Sequence, residues 1–139
     1  MTTFDFGNGP VPAHKHPNGG GWVADTAKVA DTAYVGPDAK VFDNAQVSGN
    51  TWVSGNARVY GYAQVSGNAW VFDNAQVSGD AWVFDSARVY GDTQVFGDTQ
   101  VYGNAWVYHN AVVYGNAWVY GNARVYGKAQ VFDNAEVAE

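Results

Sequence analysis

The sequence predicts an all-β chain wound as a parallel β-helix, and three observations carry that prediction. Valine stands at every sixth residue from 23 to 137, twenty times, with nothing inserted or missing. A strict short period marks a repeat architecture, and six residues is a period of parallel β-helices. A small residue stands four places after each valine but the last: Ala sixteen times, and Thr at Thr51, Thr93 and Thr99. Between them lies a two-residue corner whose first position is Gly eleven times and whose second is Asn ten times, types that turn a chain or tolerate positive φ. Residues 45–50 show the unit, A-x-V-x-G-N, in full.

Residues 1–21 stand outside the repeat and hold five glycines and two of the three histidines. They read as a cap or arm, distinct from the solenoid of residues 22–139. Phe4, Phe6 and Val11 alternate weakly, as an extended segment lying across the first coil would. Pro17-Asn18-Gly19-Gly20-Gly21 reads as a turn that delivers the chain into Trp22. Such a cover is needed because open strand edges pair with other chains. From residue 22 onward, period-two alternation puts the Ala and the Val on the inner side and the residues flanking each valine on the outer side. Both corner positions carry residue types that tolerate or need positive φ. An interior of Val and Ala is thin and filled, with the three Thr hydroxyls as its polar groups. A ligand cavity inside it is not expected, so function belongs on the surface or between subunits.

Charge and composition narrow the function classes. The net charge is −6 and the seven Lys and Arg are scattered singly, unlike the basic stripe that neutralises a phosphate backbone; nucleic acid is not an expected partner. There is no cysteine, hence no disulfide framework, thiolate chemistry or cysteine zinc site. Met1-Thr2-Thr3-Phe4-Asp5 has neither the charge nor the apolar run of a signal peptide, and no stretch of 18 apolar residues occurs. The expectation is a protein off the membrane, cytoplasmic or virion-associated.

The unit resembles the hexapeptide repeat of left-handed β-helix proteins, in which an aliphatic residue is followed four places later by a small one. The resemblance covers residues 22–139. It implies a triangular solenoid, single-stranded and left-handed, with three six-residue faces, 18 residues per coil and about six coils; at ~4.8 Å per stacked strand the prism is about 30 Å long. The hand departs from the usual crossover rule. The stretch at residues 16–39, HPNGGGWVADTAKVADTAYVGPDA, is similar to hexapeptide-repeat proteins of bacteria and their phages. Where that superfamily often has a small or acidic residue after the valine, this chain often has Tyr or Phe.

Taking every eighteenth residue places the outward side chains in columns. Tyr34, Trp52, Trp70, Arg88, Trp106 and Arg124 share one, flanked by Ser54, Phe72, Tyr90, Tyr108 and Tyr126. On another face Trp82, Gln100 and Trp118 neighbour Phe84, Tyr102 and Tyr120. From Phe84 to Phe132, nine successive post-valine positions are Tyr or Phe. Such columns form intramolecular ladders with cation–π contacts from Arg88 and Arg124. They equally mark a contact surface, whether for a second copy, a protein or a flat carbohydrate.

Candidate chemistry is sparse. The resemblance extends to γ-class carbonic anhydrases, which hold zinc with three histidines from two adjacent subunits. Two of those three are separated by a few residues late in the helix, whereas here His14 and His16 lie in the arm and His109 replaces a corner glycine, so that spacing is not reproduced. Acyltransferases of the superfamily use a histidine as general base in the cleft between trimer subunits, and His109 is the one histidine in the repeat. Such enzymes extrude loops from their coils, whereas this repeat runs 115 residues without an insertion. Asp80 and Asp98, eighteen apart at one corner, stack closely enough to share a calcium ion, although exposed corner acids among Asn44, Asn116 and Asn134 need none. Thr-x-Thr arrays of the kind that bind ice on this scaffold are missing. The expectation is therefore a non-enzymatic structural or interaction solenoid without cofactor, working through its aromatic ladders. Its C-terminal end is read as uncapped, with Val131 and Val137 in the pairing edges of an end-to-end dimer; a face-packed trimer is the other form of self-association. The alternative is an acyltransferase or carbonic-anhydrase-like enzyme at trimer clefts.

Overall fold

Beyond the first, each hexamer forms a strand two residues long, the valine and the residue before it, and the corner turns the chain after one more N–H has donated to the next coil, as Phe42 N does to Val59 O (3.0 Å). A computed structural model describes residues 2–138. Among them there is no helix, and hence none long and apolar enough to cross a membrane. The strands fall in rotation onto three sheets of nine, seven and six strands. The first face contains Trp22–Ala24, Lys40–Val41, Arg58–Val59, Gln76–Val77, Gln94–Val95, Val112–Val113 and Gln130–Val131. The second runs from Lys28–Val29 to Glu136–Val137, and the third from Tyr34–Val35 to Arg124–Val125. Pairing between coils is parallel, and Val47 lies on Val65, Val53 on Val71 and Val59 on Val77, eighteen residues apart in each case.

The interior is as thin as the sequence requires. Valines 35 to 119 and the alanines between them are essentially without solvent contact, as are Thr51, Thr93 and Thr99. The three threonine hydroxyls have no hydrogen-bond partner among the described residues.

At the corners from residue 43 to residue 133 the first residue adopts positive φ and the second does not. At Gly49 (φ 69°) a Cβ would stand 2.6 Å from the Gly67 carbonyl oxygen, which leaves no room for a side chain directed there. Asp43, Asp73, Asp85, Asp133 and His109 take the same conformation without being glycine, at φ of 55° to 62°. Four of them gain a compensating contact. The N–H of the glycine one coil later donates to Asp43 (3.1 Å), Asp73 (3.2 Å), Asp85 (3.2 Å) and His109 Nδ1 (3.4 Å). The asparagines work differently: Asn56 donates to Asn74 (3.4 Å) and Asn74 to Asp92 (3.0 Å), a ladder of side chains along one corner.

The arm meets the first coil as a hairpin rather than as a single extended segment. Strands β1 (Thr3–Asp5) and β2 (Pro10–Lys15) form an antiparallel hairpin, and β2 pairs antiparallel with β3 (Trp22–Ala24), so the first face is prolonged by two strands. The cause is local: the Asp5 carboxylate accepts from Gly7 N (2.7 Å) and Gly9 N (3.0 Å) and folds the chain back. Phe4 then stacks on Trp22 and Phe6 on Phe42, both at 4.8 Å.

Candidate interaction surface

The third face carries two outward columns, set by the residues before and after each valine. In the first, Tyr34 stacks on Trp52 at 4.5 Å, and Trp52 meets Trp70 at 6.1 Å. Arg88 then lies 4.7 Å from the Trp70 ring and 5.2 Å from Trp106, and Arg124 lies 4.2 Å from Trp106. In the second, Phe72, Tyr90, Tyr108 and Tyr126 stack at 4.7, 5.1 and 5.4 Å with interplanar angles of 3°, 5° and 16°. Edge-to-face contacts between Trp70 and Phe72 and between Tyr90 and Trp106 tie the columns together. The sequence columns are thus brought into one continuous surface. Burial in the stack raises the Tyr90 hydroxyl above the ordinary tyrosine range; neighbouring Tyr108 adds to this, and Arg124 and Arg88 oppose it.

Ring planes tilted by so little at 5 Å separation must lie face to face. The post-valine rings therefore cover one another's flat faces and turn edges and hydroxyls outward. Similar stacks occur on the first face, from Phe96 through Tyr114 to Phe132, and on the second, from Phe84 through Tyr102 to Tyr120. Some aromatic surface nevertheless stays open: Trp52 is 48% exposed, Trp70 40%, Trp82 45% and Trp118 40%. Trp82 and Trp118 sit apart on the second face, both in register with Gln100, and each meets a post-valine ring edge to face, Phe84 at 6.3 Å and Tyr102 at 6.4 Å.

The titratable candidates do not converge. His14 Nδ1 pairs with Asp25 at 2.7 Å on the surface, and His16 is buried with Nε2 donating to Ala33 O at 2.8 Å. His109 stands at a distant corner, where Nδ1 accepts from Gly127 N and the ring packs edge-on against Tyr108 at 4.7 Å. That contact engages the lone pair a general base would use. Asp80 and Asp98 are exposed on successive coils, their own N–H groups donating to the Gly97 and Gly115 carbonyls. Among the described residues no three His, Cys, Asp or Glu are grouped to hold a metal. At the last coil Val131 is 8% exposed and Val137 partly buried, against 0% for the inner valines.

Three features escaped the sequence reading. The aspartate-to-glycine corner contacts were legible in principle, as Asp or His at a corner followed by Gly eighteen residues on. The stacking of Phe4 and Phe6 had only their alternation as a signal. The service of His16 as a backbone substitute had none.

Three short strands per turn, stacked every eighteen residues on an interior of valine and alanine, define a β-solenoid repeat protein. Its repeats are those of a particular family. The chain belongs to the YdcK Beta solenoid repeat family, which matches residues 52–67, 63–79, 75–91, 100–115 and 117–131, together about half of the chain. Trp52, Trp70, Arg88, Trp106 and Arg124 lie inside the matched repeats, and the hairpin lies outside them. No curated protein and no solved structure matches the chain.

Proposed function

We propose that this protein is a non-enzymatic structural and interaction rod whose third face is a protein-binding surface, used first for self-association. One observation carries the reading: a two-column Trp, Tyr and Arg surface in which Trp52 and Trp70 remain 48% and 40% exposed. Monomers seldom leave broad contiguous apolar patches uncovered, and Trp, Tyr and Arg are the residues enriched at interface cores. The geometry favours a protein over a glycan. A sugar ring packs on an open aromatic face, and the post-valine columns have given their faces to one another. We further place the unit with the left-handed hexapeptide helices it resembles, and assign a second contact to the last coil, whose edges around Val131 and Val137 invite pairing.

Light scattering over a range of concentrations tests the main reading. The wild-type chain should give a multiple of the monomer mass, and Trp52→Ser with Trp70→Ser should return the monomer. A wild-type chain that stays monomeric at every concentration sinks the self-association reading. Val131→Pro or Val137→Pro separates the second contact from the first, because it disrupts association through the end while leaving the third face unchanged.

A further inference from the structure

The first coil has three strand edges, and the cap treats them unequally. In inner coils the carbonyls of the valine and of the residue two before it accept from the coil above, as in Lys28 N to Ala45 O (2.9 Å) and Ala30 N to Val47 O (2.8 Å). The first coil has no coil above it, so other groups must fill these acceptors. On the first face β2 does so, and on the third face His16 Nε2 reaches Ala33 O (2.8 Å) while Gly21 N reaches Val35 O (2.9 Å). On the second face no described residue donates to Ala27 O or Val29 O. Burial follows the hydrogen bonds: Val23 and Val35 are 0% exposed, whereas Ala27 is 7% exposed and Val29 is only partly buried. Beside this edge, at the corner from which it leaves, a cavity of about 220 Å³ opens between the hairpin and the first coils. Phe6, Val11, Pro12 and Phe42 give it an apolar lining, with Asp25 and Asp43 among its polar residues.

We propose that the Lys28–Val29 edge docks an extended segment of a partner protein as an added strand, with an aliphatic side chain in the cavity and basic residues beside it. Strand addition draws affinity from main-chain hydrogen bonds and specificity from side-chain pockets, and both parts are present here. Charge selects the occupant. Asp25 and Asp31 stand at the two corners bounding the edge and Asp43 lines the cavity, against the single cation Lys28 on the strand itself. The same acidic edge of a second copy is therefore repelled here and a basic segment attracted. His14 holds one oxygen of Asp25 at 2.7 Å and leaves the other free of that contact.

The test is an amide-resolved NMR titration of the full chain with two capped synthetic peptides, Lys-Val-Lys-Val-Lys and Glu-Val-Glu-Val-Glu. The lysine peptide should bind saturably, shift amides around residues 24–31 and slow exchange of the Val29 amide; the glutamate peptide should bind at least tenfold more weakly. Asp31→Lys, on an exposed corner, should weaken the lysine peptide about tenfold. Val29→Pro, which deletes the edge donor, should abolish its binding, and Asp31→Lys keeps the test decisive should the proline variant not fold. The proposal is overturned by no saturable binding, by equal binding of the two peptides, by indifference to Asp31→Lys, or by shifts centred on the third face. It is overturned equally if the Val29 amide becomes protected with rising protein concentration alone, which would make a second copy the occupant. None of these outcomes depends on whether the third face self-associates.

Discussion

Within the coils the first and third faces share a backbone geometry and an interior and differ in what they turn outward. Before each valine the first face carries Trp22, Lys40, Arg58, Gln76, Gln94, Val112 and Gln130, while the third carries Tyr34, Trp52, Trp70, Arg88, Trp106 and Arg124. Their valines are equally buried and stack in the same eighteen-residue register. The difference teaches that the solenoid separates two tasks by side-chain parity: inward residues hold the fold, and outward residues are free to become a surface. Only the third face has used that freedom to build a continuous column of rings and guanidinium groups.

The largest expected effect probes the shared interior. Val71→Ala on the third face and Val77→Ala on the first should each lower stability by about 2 kcal/mol, from lost burial and the space left behind. Denaturant midpoints check this, and clearly unequal losses would break the claim that the faces are interchangeable inside. Thr93, between the third and first faces, offers the opposite sign. Its buried hydroxyl has no partner among the described residues, so Thr93→Val, of nearly the same shape, should raise stability by about 1 kcal/mol.

These interior effects concern the part of the molecule that was legible in the sequence. Valine at period six and a small residue four places on specify faces, corners and core together, because parity alone decides which side chain is inward. The outward columns were legible too, once eighteen residues per coil was adopted. The cap was not. Phe6 finds Phe42 across 36 residues of chain and His16 finds Ala33 through a side-chain nitrogen, contacts that no periodicity announces. The open second-face edge was hidden for the same reason, since it appears only when the donors supplied to the other two faces are located.

Smaller effects sharpen the outward side of the comparison. Arg88 lies between Trp70 and Trp106, and Arg88→Gln should lower the melting midpoint by an amount matching about 0.5–1 kcal/mol. The analogous exchange of Arg58 on the first face, which lies over no ring among the described residues, should have less effect. The smallest effect is at alkaline pH. Because folding raises the Tyr90 pKa above the ordinary value of 10.0, its contribution is full below that value and is lost as pH rises through the folded one. Thermal midpoints should therefore fall faster for the wild type than for Tyr90→Phe as pH passes about 10; parallel curves would remove Tyr90 from the account.

The central claim is that the third face is the contact surface and the first is not. It is met most directly by comparing solution masses of two matched variants, Trp52→Ser with Trp70→Ser on the third face and Gln76→Ser with Gln94→Ser on the first. The account predicts that the third-face pair becomes monomeric while the first-face pair keeps the wild-type mass. Equal masses in both variants, or dissociation caused by the first-face pair, would contradict it.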